Sequence, residues 1–228
     1  MTITDWLFDL DDTLYPASTG LFRQVSKRIT ERIAFLLGIS DTEARVLQRQ
    51  YWLQYGTSLR GLILHHGVDP EPFLAYVHDV PVASFLHADD ELRAMLLRLG
   101  GRRHVFTNSP QEYAARVLDA LGVADLFDNV FDIRHSGFCP KPDPGAYGRV
   151  LAALGRLPAQ CLLVDDAPPN LVAARACGFK TVWLCSPGSV AGGAAGDSVD
   201  LAAAMTPADV VINSLGELEG AVRVYFCR

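Results

Sequence analysis

With 228 residues and 50% hydrophobic content, the chain can bury one large domain, or a main domain with a smaller one. A formal charge of -6 excludes a general nucleic-acid or anionic-membrane surface, since either needs a basic face. No apolar run approaches the ~18 residues of a membrane span, and the N-terminus lacks the basic and apolar regions of a signal peptide, so a cytoplasmic protein is expected.

In chain order, Trp6-Leu7-Phe8 reads as a buried strand. Aspartates crowd its ends, with Asp5 before it and Asp9, Asp11 and Asp12 after it. Asp9 stands where the apolar run stops and Asp11 is its next neighbour outward. Two carboxylates that close repel by roughly 4 kcal/mol at an effective dielectric near 20, so a proton or a cation must intervene. A divalent metal, magnesium in the first place, is the economical answer. Asp5 reads as an ordinary residue ahead of the strand.

Residues 16–86 then read as helices with no strand between them, far longer than an ordinary connection, and are expected to form an inserted helical cap domain. Leu21, Val25, Ile29, Ile33 and Leu37 recur every four residues, with Ser18 or Thr19 as N-cap and Gly38 as the stop. Further helices are expected from Ser40 or Asp41 to Tyr55, from Ser58 to His65 and from Pro70 to Val77.

From Asp89 onward helix and strand alternate, the pattern of a parallel sheet covered on both faces, so 1–15 and 87–228 are expected to form an α/β core. A helix from Asp90 to Leu99 precedes a strand from His104 to Thr107, and Ser109-Pro110 opens a helix that ends at Gly122. Strands follow at Asn129 to Ile133, Cys161 to Val164, Thr181 to Leu184 and Val210 to Ile212, with a Gly/Ala/Ser-rich loop at 186–196. The five cysteines (Cys139, Cys161, Cys177, Cys185, Cys227) show no zinc spacing and read as buried small hydrophobes.

In an open parallel sheet the site lies beyond the carboxyl ends of the strands. The first strand ends at Asp9 and Asp11, the second at Thr107-Asn108, and the fourth at Asp165-Asp166. The loop after the third carries Lys141 among Pro140, Pro142 and Pro144, which would hold it stiffly. Four strand ends delivering polar residues imply one shared pocket.

Together these residues resemble the four motifs of the haloacid dehalogenase-like (HAD) superfamily, in matching order over nearly the whole chain. Asp-Leu-Asp-Asp-Thr-Leu-Tyr-Pro from Asp9, Tyr55-Gly56-Thr57-Ser58-Leu59, Lys141-Pro142-Asp143-Pro144 and Val164-Asp165-Asp166 with Asn170 look most like its pyrimidine 5'-nucleotidase-like group. The resemblance implies a Rossmann-like core with an all-helical cap, acting as a magnesium-dependent phosphatase on a small phosphomonoester such as a pyrimidine nucleoside 5'-monophosphate. It implies Asp9 as nucleophile forming an aspartyl-phosphate, and Asp11 as general acid and then base. It implies Thr107, Asn108 and Lys141 as phosphate-binding groups. Asp9, Asp165, Asp166 and the backbone carbonyl of Asp11 would hold Mg2+, with Asp166 preferred as direct ligand. HAD dehalogenases need no acid and typically lack the second Asp, so Asp11 favours phosphoryl transfer. The chain departs from the group at Ala167-Pro168-Pro169, where a small polar residue more often follows the second Asp.

The cap would choose the leaving group by closing over the site. Tyr55, Arg60, His65 and His66 in the cap, with His135 and Phe138 before Lys141, have the right chemistry, and each has an ordinary structural alternative as core or solvated face. Two other readings stay open: a phosphomutase that returns the phosphoryl group to a substrate hydroxyl, and a regulatory protein that binds phosphate or nucleotide without turnover.

Overall fold

The computed structural model describes residues 3–185 and 207–226; the expected loop at 186–196 and Cys227 lie outside them. Six parallel strands form one sheet in the order β3-β2-β1-β4-β5-β6, with β1 Asp5–Phe8, β2 Arg102–Phe106, β3 Asn129–Phe131, β4 Cys161–Asp165, β5 Lys180–Leu184 and β6 Val210–Ile212. This is a Rossmann-like α/β sheet. The strand order reverses between β1 and β4, which is where a crevice opens beyond the carboxyl ends. Alternation along each strand feeds two layers: Trp6, Phe8, Val105, Leu162 and Val164 enter one cluster, while Leu7, Phe106, Cys161 and Leu163 enter the other.

Between β1 and the next core helix come α1 Leu21–Leu37, α2 Asp41–Tyr55, α3 Ser58–His66 and α4 Pro70–Val77. Local chemistry sets their ends. Ser40 and Glu43 form a capping box, Asp69 caps α4 ahead of Pro70, and Gly38, Gly56 and Gly67 end their helices with positive φ. The N-cap of α1 is Gly20 at φ 79°, not Ser18 or Thr19, because a short 3-10 turn occupies residues 17–19 first. Ile33, Ala44, Tyr51, Leu59, Leu62, Phe73, Leu74 and Val77 gather into a third cluster, and Gly61 leaves room for Tyr51, whose Cγ would lie 2.3 Å from a Cβ there.

Two residues from the sheet side complete that cluster, Ile133 and Phe138. The third strand therefore stops at Phe131, two residues earlier than expected, because Ile133 turns away into the helices. Next to it, Arg134 forks onto Glu71 of α4 at 2.8 and 2.7 Å and reaches Glu112 of α6 (Gln111–Leu121) at 2.9 Å. The remaining helices are α5 Asp90–Arg98, α7 Pro144–Leu154, α8 Pro168–Ala176 and α9 Leu218–Phe226. Among the described residues no helix is long and apolar enough to cross a membrane.

Asp5 is not an ordinary residue. It is fully buried at the start of β1 and accepts from Thr4 Oγ1 at 2.7 Å, Arg156 Nε at 3.0 Å and His104 Nε2 at 3.1 Å, with Arg102 at 2.6 Å. Burial pushes this carboxyl up, but Thr4, His104, Arg102 and Arg156 outweigh it and hold it below the ordinary range. The anchor lies at the amino end of the strand, opposite Asp9.

Candidate active site

Register places the site. Phe8 pairs with Val105 on one side and Val164 on the other, and Asp9 N donates to Val164 O at 2.9 Å, so Asp9, Thr107 and Asp165 leave three adjacent strand ends together. Lys141 arrives from the loop before α7 and is almost completely buried. Its Nζ stands 3.0 Å from Asp9 Oδ1 and 2.7 Å from Asp165 Oδ2. Burial pulls the ammonium down, but Asp165 and Asp9 outweigh it and raise its pKa, so it stays charged.

Asp165 is the most heavily engaged carboxylate. Besides Lys141 it accepts from Asn170 Nδ2 at 3.0 and 3.1 Å and from Ala167 N at 2.9 Å. That last bond supplies an acceptor at the start of α8, where Ala167 as N-cap has no side-chain acceptor of its own. Among the described residues the Asp166 carboxylate accepts a long 3.4 Å bond from Thr13 Oγ1, while its backbone carbonyl accepts from Trp183 Nε1 at 3.0 Å. Asp9, Asp165 and Asp166 each offer a carboxylate oxygen within 4.8 Å of the others. Burial pushes Asp9 up to about 7, with Asp165 and Asp11 adding to it against Lys141, and it pushes Asp166 well above the carboxylate range with help from Asp165 and Asp9. The Lys141 ammonium pairs with Asp9 and Asp165 and leaves Asp166 without an ion pair among the described residues, and an all-oxygen donor set with surplus negative charge suits a hard divalent cation.

Asp11 faces elsewhere. Its Oδ1 accepts from the hydroxyls of Tyr15 and Tyr113, the latter at 2.9 Å, and its Oδ2 accepts from Ser109 Oγ at 2.7 Å. Burial, and then the charge of Asp11, push both phenols far up, so each remains a donor. Sequence reasoning missed Ser109 and Tyr113; the one available signal was that a core tyrosine needs a partner for its hydroxyl.

Thr107 is buried and accepts from Ser109 N at 3.0 Å, which leaves its own proton free to give. Asn108 departs from expectation. Its side-chain oxygen accepts from Lys141 N at 2.9 Å and its amide donates to Lys141 O at 3.2 Å, so the side chain fixes the lysine loop instead of facing the pocket. On the other flank Gly56, at φ 82°, touches the same loop: a Cβ there would lie 2.5 Å from Lys141 O. The turn between α2 and α3 thus rests on the lysine.

The remaining cap residues are placed but not brought into the carboxylate cluster. Tyr55 bonds His65 and Tyr51 bonds His66 at 2.8 Å, with His65 stacked on Tyr51 at 5.5 Å between centroids. Arg60 sits half-buried in the first turn of α3, exposed His135 lies against Phe131 at 4.9 Å, and Phe138 joins the helical cluster.

Comparison with known proteins agrees with this layout. The chain is 29% identical over 193 residues to phosphate metabolism protein 8 of Saccharomyces cerevisiae, covering 78% of this chain and 60% of that protein. It is 29% identical over 147 residues to validoxylamine A 7'-phosphate phosphatase of Streptomyces hygroscopicus subsp. limoneus, covering 63% and 62%. It thus spans less than two thirds of each relative's length. The fold is similar to that of L-2-haloacid dehalogenase from Xanthobacter autotrophicus with chloropropionic acid covalently bound, at a TM-score of 0.61 and 19% identity over 97% of this chain and 99% of that one. The model of the haloacid dehalogenase-like hydrolases matches residues 7–178, from within β1 to just past α8, and so takes in every strand end that meets at Lys141. With three-quarters of its length inside that match, the chain belongs to the haloacid dehalogenase-like hydrolase family.

Proposed function

We propose that this chain, with 1–15 and 87–228 as core and 16–86 as cap, is a cytoplasmic, magnesium-dependent phosphatase of small phosphomonoesters, a pyrimidine nucleoside 5'-monophosphate being one such substrate. One observation carries the reading: a second carboxylate, Asp11, stands two residues from the Lys141-paired Asp9 and is held by hydroxyls rather than spent on a cation. Dehalogenation has no use for that group. Phosphoryl transfer does. The two relatives named above for phosphate chemistry support the same choice, and the unpaired cysteines among the described residues suit a reducing compartment.

In this reading Asp9 attacks phosphorus while the bond to the leaving oxygen breaks, and Asp11 gives its proton to that oxygen. Asp11 then takes a proton from the water that attacks the aspartyl-phosphate, and Asp9 is released. Thr107 donates to a phosphoryl oxygen, and Lys141 offsets charge on Asp9 and the phosphoryl group. Asp9, Asp166, Asp165 and the Asp11 carbonyl would hold Mg2+, which supplies positive charge for the phosphoryl oxygens. The open coordination of Asp166 and the full one of Asp165 favour Asp166 as direct ligand.

A broad phosphomonoester panel with and without Mg2+ tests the reading. Turnover that requires Mg2+ and drops about 10³-fold or more in Asp9→Asn, with an unchanged circular dichroism spectrum, is expected. Near-normal activity of Asp9→Asn would sink it.

A further inference from the structure

We propose that Tyr15, Tyr113 and Ser109 are positioning residues that hold the Asp11 carboxylate for proton transfer to the leaving group, an inference that rests on Asp11 being the acid and base. Three hydroxyls reach it from three places: the end of the aspartate turn, the buried face of α6 and the turn after β2. A carboxylate offers about four acceptor sites, and three are filled here. Both phenol rings are almost wholly buried, with hydroxyls 3.2 Å apart, and the Tyr113 ring lies against His78 at 4.9 Å between centroids.

Tyrosines buried only for packing would need some partner for each hydroxyl, and a backbone carbonyl would serve. Tyr147, also buried, makes that choice and donates to Asn170 O at 2.8 Å. Tyr15 and Tyr113 instead converge on one side-chain oxygen. An Asp side chain free to turn about its two torsions spends much of its time out of reach of the leaving oxygen, and a misplacement of about 1 Å can cost about 10²-fold in rate. The hydroxyls remove that freedom.

The test uses leaving groups. A nitrophenyl phosphate expels a phenolate that needs no proton, whereas glycerol phosphate expels an alkoxide that does. In Tyr15→Phe and Tyr113→Phe, kcat/KM for glycerol phosphate should fall about 10- to 100-fold and that for the nitrophenyl ester should stay within about twofold of wild type. On the nitrophenyl ester any slower hydrolysis of the aspartyl-phosphate lowers kcat and KM together and leaves kcat/KM unchanged; melting temperature should change little, and Ser109→Ala offers the same readout if a phenylalanine variant fails to fold. Equal losses on both esters, or no loss on either, overturn the inference. Asp11→Asn separates the two levels: if it shows the leaving-group signature and the hydroxyl variants do not, only the inference fails. If wild type hydrolyses both esters and Asp11→Asn spares both, the reading of Asp11 fails and takes the inference with it.

Discussion

Lys141 Nζ lies 3.0 Å from Asp9 Oδ1 at a site where the lysine is 1% exposed. Replacing it by Gln removes the ammonium that Asp9 and Asp165 share and leaves both charges buried without it. A loss of about 3–5 kcal/mol is expected in urea unfolding of the metal-free protein, with kcat down about 10²-fold or more. Wild-type kcat in Lys141→Gln would rule out the assigned role.

The carboxylate surplus gives stability a pH dependence. Asp9 titrates at about 7 when folded, above its ordinary 3.8, so the folded protein holds a proton that the unfolded chain has lost. The contribution of Asp9 to the stability of the metal-free protein should therefore be full below pH 3.8 and be lost as pH rises through about 7, and Asp166 pushes the same way. Mg2+ opposes the decline. At 100 times its dissociation constant it should add about 2.7 kcal/mol, and its effect on melting temperature should be larger at pH 8 than at pH 5. An equal shift at both values would argue against these carboxylates as ligands.

Gly56 carries two constraints at once, a φ of 82° and contact with the lysine loop. Gly56→Ala should cost about 1–3 kcal/mol and lower kcat, because Lys141 must shift to admit the methyl group. Gly38→Ala is the control: its φ is 64° but nothing lies within 4 Å of the added carbon. It should cost stability alone. A Gly56→Ala enzyme with unchanged kcat would show that the turn does not brace the lysine.

Asp5 should matter to stability and not to turnover. Its folded pKa lies below the ordinary 3.8, so its contribution is present above that pH and is lost as pH falls through the folded value. Asp5→Asn should destabilise the protein by about 2 kcal/mol or more at pH 7, with a gap to wild type that narrows below pH 4. Because Asp5 and Asp9 sit at opposite ends of β1, kcat should stay within about twofold.

What could be read in the sequence was whatever local chemistry decides. Asp9, Thr107 and Asp165 were visible because each ends an apolar run, and α2 and α4 because Ser40 and Pro70 open them. The start of β2 was hidden because Arg102 and Arg103 look like solvent residues, yet Arg102 pairs with Asp5 and Arg103 bonds the carbonyls of Leu96, Leu99 and Leu126. Asp5, Ser109 and Tyr113 were hidden for a related reason. Their partners lie about a hundred residues away, and only tertiary packing brings them together. Tyr55 and His65 were picked for their chemistry, but no spacing rule announced that they bond each other.

The placement of Ile133 and Phe138 means that the helical layer is not a detachable module. Both belong by chain order to the sheet, yet they plug the middle of the helices, Ile133 with only 2% of its surface exposed. A chimera that exchanged residues 16–80 for the helices of a relative would inherit a plug cut for a different socket. Altering the choice of leaving group by grafting should therefore succeed only when residues 133–138 travel with the graft.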